Sequence, residues 1–96
     1  MDKLEDSLKI AKENSDISES IRLAGKIVEK TEIIFGQNHI NTAISLSNLA
    51  SLYEDKGEYE TAELYYFKGL NILKALNAKD YTVYATILNN LSNLYE

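Results

Sequence analysis

Ala43-Ile44-Ser45-Leu46-Ser47-Asn48-Leu49-Ala50-Ser51-Leu52-Tyr53-Glu54 returns, 42 positions later, as Ala85-Thr86-Ile87-Leu88-Asn89-Asn90-Leu91-Ser92-Asn93-Leu94-Tyr95-Glu96. Seven positions are identical, and the mismatches are mostly small or polar. A stretch reused at a fixed period marks one structural unit used twice. A fainter copy lies upstream at the same offset. Leu4 falls on Leu46, Ile17 on Tyr59 and Val28 on Leu70, while Ser15 stands where Gly57 stands. The 96 residues therefore read as a single domain of partial repeat 1–37, complete repeat 38–79 and half repeat 80–96.

Apolar spacing turns these units into helices. Leu4, Leu8 and Ala11 predict a helix over 3–13. Ile17, Ile21, Ala24, Val28, Thr31 and Phe35 recur at steps of three and four and predict one over 17–35. Leu46, Leu49, Ala50 and Tyr53 are the inward face of a helix over 41–55. Tyr59, Ala62, Tyr66, Leu70 and Leu73 are that of a helix over 59–77, and Leu88, Leu91 and Tyr95 that of a last helix from 81 to the end. Gly36 and Gly57 break the pattern, as does Asn14. Asp16 with Glu19 has capping-box spacing, Asn38 or Asn41 can cap the helix from 41, and Asp80 the last one. Short connections force neighbouring helices to run antiparallel. The expected class is all-α, about five helices in antiparallel pairs.

Composition narrows the function. Fifteen carboxylates against ten basic residues give a net charge of −5. No Lys/Arg cluster is present to displace the counterions of a phosphate backbone, so nucleic acid is not an expected direct partner. No apolar run approaches the roughly 20 residues of a membrane span, and Met1-Asp2-Lys3-Leu4-Glu5-Asp6 is too acidic for a signal peptide. The chain has no cysteine and no proline. The first excludes disulfides and thiolate zinc sites and fits a reducing, cytoplasmic setting; the second permits long helices. His39 is the single histidine, a poor basis for a metal site and a better one for a cap or a packed ring. No serine has a base at the spacing a nucleophile needs, and no glycine-rich phosphate loop occurs. No enzyme activity, metal or cofactor is expected.

Leu46, Leu49, Ala50, Tyr53, Gly57, Tyr59, Ala62, Tyr66 and Gly69 follow, nearly in order, the large, small and aromatic positions of the tetratricopeptide pattern, which this chain resembles. Gly69 stands where alanine is usual, and the customary proline is missing. The 42-residue period exceeds the usual ~34. Together with Phe35-Gly36-Gln37-Asn38-His39 it is similar to the long subclass found in kinesin light chains and many bacterial repeat proteins. The resemblance implies a right-handed solenoid whose first helices line a concave surface. It also implies a scaffold that binds a peptide or partner protein there.

On that surface the exposed stripe is Ile44, Asn48, Ser51 and Asp55, with Thr86, Asn90 and Asn93 at equivalent places. An asparagine amide offers a donor and an acceptor together, so Asn48 and Asn90 can bracket a peptide backbone. The other reading of the chain is a structural or oligomerising segment of a larger regulator. The last helix lacks the partner a full repeat would supply, so Leu88, Leu91 and Tyr95 are expected to expose part of their inward face; the chain is then a fragment of a longer array, or two copies associate through the C-terminal helix. Tyr53, Tyr59, Tyr65 and Tyr66 have core spacing rather than that of an aromatic cage, and only one of Tyr65 and Tyr66 can point fully inward.

Overall fold

The computed structural model describes residues 16–76 and 81–95. They form four α-helices and no strand: α1 (Ile17–Phe35), α2 (Ile40–Lys56), α3 (Tyr59–Leu76) and α4 (Tyr81–Leu94). The expected helix over 3–13 and the caps at Asn14 and Asp80 lie outside the described residues. α2 packs against α1, α3 and α4, and α3 packs against α4.

Local chemistry sets the helix ends. The Asp16 carboxylate accepts from the Glu19 N–H at 3.0 Å. Glu19 does not reach back to complete the box; its carboxylate pairs with Arg22, whose guanidinium lowers the Glu19 pKa. Gly36 ends α1 at φ 90°, ψ 169°, a region essentially open to glycine alone. Gly57 ends α2 at φ 88°, ψ 6°. Its N–H bonds the Glu54 carbonyl and the Glu58 N–H bonds that of Tyr53, which is a Schellman closure. The cap of α2 is His39, not Asn38 or Asn41: its Nδ1 accepts from the Asn41 N–H at 3.0 Å. Phe35 stacks on that imidazole with centroids 4.7 Å apart.

The turns are short, and contacts across each pair run in opposite directions. Thr31 of α1 meets Ser45 of α2 through their hydroxyls at 3.0 Å. The Tyr66 hydroxyl of α3 donates to Glu54 of α2 at 3.0 Å. Glu63 of α3 lies near enough to Tyr95, just beyond α4, to raise the pKa of its phenol, and the end of Ile87 in α4 lies by Gly69.

The 42-residue period is visible in burial. α1 and α3 start that distance apart and bury equivalent residues: Ser20 with Ala62, Ala24 with Tyr66, Ile27 with Gly69, Val28 with Leu70, Thr31 with Leu73. The small residues sit where helices approach most closely. A β-carbon on Gly69 would stand 3.2 Å from Ile87 Cδ1 and 3.3 Å from the Ala43 carbonyl oxygen. Ala43, Ala50 and Ala62 are sealed in the same cluster with Tyr66, Leu70 and Leu73.

Two residues expected inward, Phe35 and Tyr59, are instead exposed, and Leu88 and Tyr95, expected to be partly uncovered, are exposed as well. Phe35 and Tyr59 are terminal residues of their helices, and Phe35 covers His39 rather than the core. In α4 the sealed position is Ile87, with Leu91, while Leu88 and Tyr95 turn outward at 45 % and 63 % exposure.

Candidate functional site

A helix turns ~100° per residue, so α2 presents distinct stripes. Ser45 and Leu52 are buried toward α1, while Ala43 and Ala50 are buried toward α3. Between these flanks lies a stripe of polar Asn48, Ser51 and Asp55 with apolar Ile44. Ile44, Asn48 and Asp55 are exposed, and Ser51 is half-buried.

The four are not equally free. The Ser51 hydroxyl lies beside the Tyr66 phenol, so it supports the core as well as facing outward. Burial and the Glu54 carboxylate push the Tyr66 pKa well above the ordinary tyrosine range. Asn48 makes no side-chain hydrogen bond among the described residues, which leaves its donor and acceptor open. On α4, Asn90 is half-buried and Asn93 exposed; Thr86 is exposed, with its hydroxyl donating to the Thr82 carbonyl at 2.9 Å. Asn48 and Asn90 are 42 residues apart on two helices that touch.

The tyrosines do not form a cage. Tyr66 is sealed in the core. Tyr65, its neighbour, is half-buried and stacks on Tyr53 at 5.6 Å, 10° from parallel. Lys68 stands 5.1 Å from the Tyr65 ring centroid, so the chain's own ammonium already occupies that aromatic face. Burial, followed by Tyr65 and Glu58, raises the Tyr53 pKa. The described residues hold no group of three or more His, Asp or Glu placed to bind a metal. No helix among them is long and apolar enough to cross a membrane.

A family model described as "Tetratricopeptide repeat" matches residues 9–75, which take in α1, α2 and nearly all of α3. No curated protein matches the sequence significantly.

Proposed function

The chain belongs to the tetratricopeptide repeat family, and we propose that it binds an extended peptide of a partner protein across the first helices of its repeats. Repeats of this family mediate protein–protein interaction and are typically non-catalytic. The observation that carries the reading is Asn48: an exposed amide with no hydrogen-bond partner among the described residues, at the centre of a polar stripe on α2. Its counterpart Asn90 lies on the adjoining helix. Ile44 adds apolar contact beside it, and Asp55 and Asn93 extend the polar strip. A peptide laid across them would exchange backbone hydrogen bonds with both amides. Recognition of that kind needs no cofactor.

The test is titration calorimetry with peptides selected from a displayed random library on the wild-type chain. Replacing Asn48 and Asn90 with alanine is expected to weaken these peptides by about tenfold per position, since a lost hydrogen bond of ~1.4 kcal/mol is one decade. Unchanged affinity in the double variant would move recognition off this stripe.

A second reading, self-association through α4, draws on Leu88 and Tyr95. With Ala85 and Ser92 they form an outward stripe equivalent to Ala43, Leu46, Ala50 and Tyr53 of α2, which α3 and α1 together cover. The stripe alternates small and large residues symmetrically. Two α4 helices set antiparallel about a two-fold axis would place Ala85 against the second copy's Tyr95, and Leu88 against its Ser92. Sedimentation equilibrium should show a concentration-dependent dimer that Leu88→Asp converts to monomer. A wild-type chain that stays monomeric at high concentration removes the reading.

A further inference from the structure

On the side of α2 away from Asn48 the structure holds a groove of about 550 Å³, walled by α1 and α3. Its volume falls in the ~300–1,000 Å³ range of ligand pockets. The floor is apolar: Val28, Leu46, Leu49 and Ile72. The α1 rim carries Glu29 and Glu32, one turn apart; Lys68 and Asn71 stand on the α3 rim. Glu29 and Glu32 have no ion pair among the described residues, where the salt bridges are Arg22–Glu19 and Lys56–Glu58.

Gly25 lines the same wall. A glycine inside a helix is less favourable than alanine by ~1 kcal/mol, and the usual compensation is close packing of a neighbour against it. Gly25 has no such neighbour: among the described residues nothing lies within 4 Å of where its β-carbon would stand. The missing side chain leaves the α1 backbone open to the groove. That is the arrangement expected where a bound segment passes close to a helix. Gly69 shows the contrast, since Ile87 and Ala43 fill its vicinity.

We infer that this groove binds a peptide segment carrying a large apolar side chain next to a lysine or arginine. The apolar group enters over Val28, Leu46 and Leu49. The cation lies against the paired carboxylates of Glu29 and Glu32, away from Lys68. Charge chooses this occupant: the rim nearest Gly25 is anionic, and the chain as a whole carries −5, which favours a basic partner on approach. The surface is separate from the Asn48 stripe, so either can fail alone.

The experiment pans a displayed random peptide library on the full chain, with counter-selection against Gly25→Leu. That variant fills the groove from a backbone position with open space around it, and its better helix propensity is expected to leave the melting temperature equal or higher. Recovered peptides should combine Leu, Phe or Trp with Arg or Lys. They should lose about tenfold or more in affinity, one decade per ~1.4 kcal/mol, on Gly25→Leu and on Glu29→Gln with Glu32→Gln. They should weaken with added salt and keep their affinity on Asn48→Ala with Asn90→Ala. The inference is overturned if no peptide is recovered, if recovered peptides carry no basic residue, or if the Glu29→Gln, Glu32→Gln double variant binds them as wild type does. The double variant decides the matter should Gly25→Leu melt lower.

Discussion

Tyr66→Ala is expected to remove about 3–5 kcal/mol, the range for deleting a buried aromatic ring, and to leave little folded chain at physiological temperature. Tyr66 is 0 % exposed and is the largest fully buried side chain described. It lies among Ala43, Ala50, Ala62, Leu70 and Leu73, where α2 and α3 meet. A domain of this size has roughly 5–15 kcal/mol of net stability, so the loss takes a large share of it. Urea unfolding followed by circular dichroism should show a much lower midpoint or no folded baseline. Tyr66→Phe separates ring from hydroxyl. It keeps the volume and gives up the bond to Glu54, a net change of about 0.5–1.5 kcal/mol because half-buried Glu54 can turn to water.

The same pair fixes the sign of the alkaline response. Burial, and then Glu54, raises the Tyr66 pKa in the folded state. Below the unfolded tyrosine value of about 10 both states are protonated and the contribution is fully present. Above it the unfolded chain loses its proton first, so stability falls as pH rises. Tyr53 shifts the same way. Tyr66→Phe should therefore lose stability less steeply above that pH than wild type. An equal slope would mean that the phenol ionises as easily folded as unfolded.

Much of the fold is legible because one period governs it. The 42-residue offset carries the start of α1 onto that of α3, and every buried position of α1 but Leu23, which falls on half-buried Tyr65, onto a buried position of α3. Errors gather where the period stops constraining a residue. Phe35 and Tyr59 end and begin their helices, so a stripe drawn through them runs past the partner. The burial of Ile87 does not follow from the repeat. Its equivalent is Ser45, a hydroxyl bonded to Thr31 of α1, and a polar residue in the first copy says nothing of an apolar one in the second. The polar stripe on α2 could be read from helical spacing because it lies on one element. The groove could not: Gly25, Glu29 and Glu32 come from α1, Leu46 and Leu49 from α2, Lys68 and Asn71 from α3. No local spacing relates them, and only the packing of α1 and α3 on opposite flanks of α2 brings them together.

Ile87→Ala is expected to undock α4 while α1, α2 and α3 stay packed. Ile87 is 0 % exposed and joins the cluster built around Tyr66 and Leu73. Truncating a buried isoleucine removes about 2–5 kcal/mol, the larger values where neighbours cannot close the gap. Here the gap borders Gly69, which has no side chain to move into it, and the Ala43 backbone, which is held in a helix. The loss falls on one edge because, among the described helices, α4 packs on α3 and α2, whereas α2 is also held by α1. Local opening of that kind is read by amide hydrogen exchange. Protection should drop across Tyr81–Leu94 and change little in Ile17–Phe35. A uniform drop would show that the four helices unfold as one unit. The cavity argument has its own check in Ile87→Val combined with Gly69→Ala. Valine withdraws the Cδ1 atom that would stand 3.2 Å from the new β-carbon, and alanine fills part of the space while favouring the helix by ~1 kcal/mol. The double variant should be more stable than the sum of the two single changes predicts. Strict additivity would mean that the two side chains do not share that space.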